Sequence, residues 1–217
     1  MKKRTVALLC AAVALLGVIF GGTMAWLNRG TDAVVNTFTT ASVGLALKET
    51  TGPYIMAPGA VLDKDPKVVV AEDSASCYLF VEVFEENFER EPIAWEAAEG
   101  WSEIESLNKK TEDGKVTMRV FYREFDEKKT DYTKDDEGNY VFSFLKDDQV
   151  TVSDQLTKAD MEAYKDGEID AYPQLIFTAY AIQRDYLRDA DGNELTEENI
   201  VNIYGLAKKN AADTAET

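Results

Sequence analysis

The chain has 217 residues, 23 basic and 40 acidic, giving a formal net charge of −17, and it contains no histidine. The length allows one sizeable core or two small ones, and an apolar share of 45% is too rich for a disordered chain. The negative charge works against nucleic acid and anionic membrane surfaces, and the lack of histidine excludes a Ser–His–Asp triad, a Cys–His pair and an HExxH zinc site.

The chain begins with the basic MKKR, runs through the apolar Thr5 to Phe20, and then weakens at Gly21-Gly22-Thr23-Met24-Ala25. This layout predicts a secretory signal helix over residues 1–25, cleaved between Ala25 and Trp26, because a signal peptidase needs small residues and an extended backbone. An uncleaved anchor is the alternative, since Thr5 to Leu27 carries no charge and is long enough to cross a bilayer. Cleavage would leave 192 residues with 20 basic and 40 acidic side chains and one cysteine, Cys77. No intramolecular disulfide is then possible, and Cys77, in an apolar strand pattern, reads as a buried core residue.

Residues 26–210 are predicted as one domain of seven to nine short strands and one or two helices, an antiparallel β-sandwich of the all-β class. Asn36 to Leu47 alternates Val43, Leu45 and Leu47 with Gly44 and Ala46, the period of a strand with one buried face. Pro58-Gly59 signals a type II turn. Cys77 to Phe84 is apolar on both faces and reads as a central strand. Ile93 to Leu107 reads as an irregular excursion packed by Trp95 and Trp101. Asp113-Gly114 predicts a hairpin turn. The strand from Lys115 to Phe125 is expected to face Val116, Met118, Val120 and Tyr122 inward and Thr117, Arg119 and Arg123 outward.

Strands are further expected over Tyr140 to Leu145, Gln149 to Val152 and Gln174 to Gln183, the last buried on both faces. Thr157 and Asp160 resemble a capping box ahead of a helix over Leu156 to Tyr164. Thr196 caps a second helix, from about Glu197 to Asn210, and residues 211–217 read as a disordered tail.

Several spaced segments resemble the TasA/camelysin group of exported Gram-positive proteins. These are the Gly-Gly-Thr-Met-Ala signal end followed by Trp26, Asn36-Thr37-Phe38-Thr39-Thr40-Ala41, Val43 to Leu47, Ala57-Pro58-Gly59 with Lys64-Asp65-Pro66-Lys67-Val68, Tyr78 to Val83, and Ala179 to Gln183. The resemblance implies processing by a SipW-type signal peptidase, a jelly-roll-like sandwich, and assembly into fibres of the biofilm matrix. Camelysins have been described as metalloproteases, a label for which this histidine-free chain offers no zinc constellation.

If fibre formation carries over, the expected mechanism is strand addition, in which the N-terminal segment of one copy completes the sheet of the next and a head-to-tail homopolymer grows. Trp26, Leu27, Val34, Val35 and Phe38 are the candidate donor anchors; the alternative places Val34, Val35 and Phe38 in the first strand of their own sandwich. Cell wall and other matrix components are further expected partners. The acidic clusters Asp63/Asp65, Asp131/Asp135/Asp136/Glu137, Asp147/Asp148 and Asp189/Asp191 are read as solvated turns, with calcium as the lesser alternative. Asp189 to Asn193 fails as an EF-hand because its glycine stands fourth, not sixth. No catalytic, cofactor or metal residues are predicted, and the chain is read as no enzyme. The rivals are a glycosidase using Glu82 and Glu85 near Tyr78, and an adhesin or glycan-binding module using exposed Trp95, Trp101 or Tyr132.

Overall fold

The computed structural model describes residues 43–50, 56–88, 91–166, 172–189 and 191–215. The expected signal, its cleavage point at Ala25 and Trp26, and the donor anchors Trp26, Leu27, Val34, Val35 and Phe38 lie outside the described residues.

Among the described residues eleven strands are arranged in three antiparallel sheets. The largest orders β11 (Gln174–Gln183), β4 (Cys77–Glu86), β8 (Val116–Phe125) and β6 (Ser102–Glu103), with β7 (Lys109–Lys110) also on β8. A second joins β1 (Leu45–Lys48), β3 (Lys67–Val70) and β9 (Tyr140–Ser143), and a third joins β2 (Val61–Asp63), β10 (Gln149–Val152) and β5 (Ile93–Ala94). The protein is a mainly-β antiparallel sandwich, as the alternating pattern predicts. The strand at Gln174–Gln183 has the predicted bounds, and β4 is central: it pairs over its whole length with β11 and from Cys77 to Phe84 with β8. Cβ positions alternate along a strand, so β4 presents Cys77, Leu79, Val81 and Val83 to one layer and Tyr78 and Phe80 to the other.

The first layer is the sandwich core, where these β4 residues meet Val43, Leu45, Leu47, Val68, Val70, Phe142 and Phe144. Cys77 is buried there, and desolvation pushes its thiol up to about 12. Gly44 is required by packing: a Cβ at this position would lie 2.7 Å from that of Ala71. The second layer lies on the other side of the large sheet. It packs Tyr78, Phe80, Met118, Val120 and Ile182 against Ile203, Tyr204 and Ala207 of the C-terminal helix.

Two helices are present among the described residues, α1 (Lys158–Asp166) and α2 (Ile200–Ala215). The predicted capping box of α1 forms in both directions: Asp160 Oδ2 accepts the Thr157 backbone N–H at 2.8 Å, and Thr157 Oγ1 accepts that of Asp160 at 3.2 Å. Thr196 caps as predicted, but through a 3-10 turn at Glu197–Asn199 that leads into α2. The helix runs on to Ala215, past the expected start of the tail at residue 211. Its apolar stripe continues from Ala207 to a buried Ala211, one turn on.

The strand β8 corrects an expectation about its faces. Met118 and Val120 do point into a core, but it is the helix-side core, whereas Phe121 and Phe125 fill the sandwich. Arg119 and Arg123 share the face of Phe121 and Phe125 by alternation, so they lie on the sandwich side rather than outward. The indoles of the 93–107 excursion cover them there, with Arg119 Cζ 5.9 Å from the Trp95 ring and Arg123 Cζ 6.0 Å from that of Trp101.

Candidate functional site

The two margins of the five-stranded sheet differ in length and charge. One is formed by β6 and β7, of two residues each, with a register shift between Lys109 and Lys110. Short strands, irregular pairing and lysines are devices that discourage a foreign strand from pairing with an edge. The other margin is β11, ten residues long and without a charged side chain. Among the described strands β11 pairs only with β4. Leu175, Phe177, Ala179 and Ala181 are buried in the sandwich core, while Ile176, Thr178 and Tyr180 are half-buried on the other face. Near its end β11 makes further contacts at Ala181 and Gln183, whereas Gln174 to Ala179 is an uncharged stretch of the margin.

A buried ion pair flanks this margin. Lys64 Nζ lies 2.5 Å from Glu49 Oε1 and 5.3 Å from the Phe177 ring centroid. The lysine is 7% exposed, and the pairing with Glu49 and the π-face of Phe177 offset its desolvation. The sequence carries no signal for this pair, because Glu49 and Lys64 belong to different loops and only the fold brings them together.

The helix side of the sheet contains a second buried charge. Glu82, on the central strand, is 2% exposed. Its Oε1 accepts from Tyr204 Oη and, at 2.6 Å, from Lys208 Nζ; its Oε2 accepts from Tyr180 Oη at 3.3 Å. Burial, followed by the interaction with the Glu82 carboxylate, drives both tyrosine hydroxyls above their ordinary pKa. Three elements, β4, β11 and α2, thus converge on one carboxylate. The cluster holds the terminal helix against the sheet.

Glu82 and Glu85 are indeed little exposed, but they stand on opposite faces of β4. Glu85 accepts from Trp95 Nε1 at 2.9 Å and pairs with Arg119 Nε at 3.5 Å on the sandwich side. The two carboxylates therefore do not flank one cleft, as a glycosidase pair would. Tyr78 belongs to the helix-side core, and burial pushes its hydroxyl up to about 12.

The aromatic residues considered for glycan binding are packed inward. Trp101 is 8% exposed and donates Nε1–H to the Ser143 carbonyl at 3.0 Å. Trp95 is half-buried beside Phe121 and Phe144, and Tyr132 packs on Phe125 and Phe142.

Two of the acidic clusters build hairpin turns of one kind. Residues 111–115, 135–139 and 189–193 share a five-residue loop: the first N–H donates to the fifth carbonyl at 2.8–2.9 Å, and the fourth to the first carbonyl at 3.0–3.1 Å. In each loop the fourth residue is a glycine with φ between +84° and +89°, a conformation that disfavours side chains. Asp135 and Asp189 each use Oδ1 to accept two backbone N–H groups and Oδ2 to accept the amide of Asn139 or Asn193. The asparagine amide, with the backbone donors, holds both carboxyls below their usual pKa. Among the described residues no group of three or more acidic or cysteine side chains is arranged to hold a metal ion.

No protein-family model, curated protein or solved structure matches the chain.

Proposed function

We propose that this protein is a secreted structural subunit of the TasA/camelysin kind that self-assembles outside the cell by N-terminal strand addition. The observation that carries this reading is the contrast between the two margins of the large sheet, one guarded by lysines and one long and uncharged. A donor strand laid along Gln174 to Ala179 gains ladder hydrogen bonds and continues a sheet whose inner face already belongs to the core.

The donor in this reading is the segment from Trp26 to Phe38 of a neighbouring copy, freed when a SipW-type peptidase cuts between Ala25 and Trp26. Trp26, Leu27, Val34, Val35 and Phe38 anchor it, each contributing about 1.5–3 kcal/mol when fully buried, before ordering costs. Donor and acceptor are different surfaces of one chain, so the contact is head-to-tail and a filament grows. Cell wall and other matrix components are its expected surroundings. The test is negative-stain microscopy of the mature chain and of a chain lacking Trp26 to Val35. Fibres from the first and none from the second support the reading. Fibres from both overturn it.

A further inference from the structure

The guanidinium of Arg123 lies on the sandwich side of β8. The Phe142 ring centroid is 4.6 Å from its Cζ, and Trp101 stands beyond it at 6.0 Å. Gly100 packs directly onto it: a Cβ there would come within 2.9 Å of Cζ, and the φ of +89° also suits glycine. Of the five N–H donors of this group, one makes a hydrogen bond among the described residues, to the Glu99 carbonyl at 3.2 Å.

Arg119, four residues earlier on the same face, shows what is missing. It is paired with Glu85 at 3.5 Å and with Glu103 at 3.2 Å. Arg184 likewise has Glu124, Asp126 and Asp185 within reach. Arg123 has no carboxylate at ion-pairing distance among the described residues. Burial lowers its pKa, partly opposed by the neighbouring Tyr132 hydroxyl. Arg123 is half-buried, and the planar fork of its guanidinium is matched to a carboxylate.

We propose that Arg123 receives a side-chain carboxylate from a second copy of this chain. This rests on the self-assembly reading and adds to it a contact apart from the β11 margin. The source of the anion is argued from charge. Each mature copy would carry 40 acidic residues against 20 basic ones, so two copies repel unless their contact brings a cation of one to an acid of the other.

The experiment uses the mature chain in equal ¹⁴N and ¹⁵N forms carrying Arg123→Lys, treated with a zero-length carbodiimide that joins amines to carboxylates, and digested for mass spectrometry. The expected result is mixed-isotope cross-linked peptides joining position 123 of one copy to an Asp or Glu of another. Alongside, Arg123→Met retains apolar packing and removes the charge. Its self-association, measured by sedimentation at low salt, is expected to be about tenfold weaker than that of the unmodified chain, with the difference vanishing at high salt.

Equal association of Arg123→Met and the unmodified chain, or cross-links at 123 confined to one copy, overturns the inference. Preferential coupling to an added uronic-acid oligosaccharide overturns it in favour of a glycan. Fibres that form normally with no intermolecular contact at 123 defeat this inference and leave strand addition standing. A mature chain that stays monomeric under every condition defeats both.

Discussion

The two margins of the five-stranded sheet are built from opposite materials. At β6 and β7 the strands last two residues, the register shifts, and lysines occupy both positions of β7. At β11 ten uncharged residues run in unbroken register with β4. Both margins belong to the same sheet and share its twist and core, so sheet geometry does not require the difference. On the proposed reading, the difference lies in what each edge offers an incoming strand: shortness and charge would refuse one, and length and neutrality would accept it.

The contrast can be broken by giving β11 the character of β7. Ile176 is half-buried on the helix side of β11, and Ile176→Lys places a charge in the template. The expected effect is loss of fibres in microscopy with the monomer still folded by circular dichroism; fibres of normal yield would remove β11 as the acceptor.

A second effect concerns what holds β11 and α2 together. Lys208→Met removes the ammonium that pairs with Glu82. Because Lys208 is 40% exposed, the expected loss, discounted for solvent, is about 2 kcal/mol in urea unfolding rather than the full value for a buried pair. Glu82→Gln keeps an acceptor for both tyrosines and should cost less. The opposite order would contradict the account of the cluster.

Alkaline pH probes the same region. The hydroxyls of Tyr180 and Tyr204 ionise above 10.0 in the folded chain, and that of Tyr78 at about 12. The unfolded chain therefore loses these protons first. The stabilisation is complete below about pH 10 and is lost as pH rises through the folded values. The thermal midpoint should be level from pH 7 to 9 and fall above 10. A midpoint level to pH 11 would mean the hydroxyls are not held as described.

The smallest effect on stability is expected from unguarding the other margin. Lys109→Thr with Lys110→Thr should change unfolding stability by no more than about 0.5 kcal/mol, as surface changes usually do. Light scattering should nevertheless show new lateral association. Unchanged scattering would mean that shortness alone protects that edge.

Much of this fold could be read along the chain, because its strands carry their periodicity locally. β11 and β10 have their predicted bounds, the Pro58-Gly59 turn forms with Gly59 at φ +73°, and a hairpin turn forms at Asp113-Gly114 as predicted, with Gly114 at φ +88°. Arg119 and Arg123 lie on the sandwich side for a physical reason. A polar side chain on an alternating strand reads as solvent-facing, but the Trp95 and Trp101 indoles, from a distant segment, cover both. The convergence of Tyr180, Tyr204 and Lys208 on Glu82 was equally hidden. It joins residues up to 126 positions apart, and nothing in the periodicity of α2 says which strand it will cover. The helix α2 continues through Ala-Ala-Asp-Thr-Ala, polar in composition, because its alanines favour helix.

Amide hydrogen exchange on the monomer and on assembled fibres, followed residue by residue across the large sheet, tests the account at its centre. The account predicts that amides on the outer side of Gln174 to Ala179 exchange readily in the monomer and become protected in the fibre, while those of Lys109 and Lys110 do not change. Protection that grows at β7, or a β11 margin that exchanges identically in both states, would contradict it.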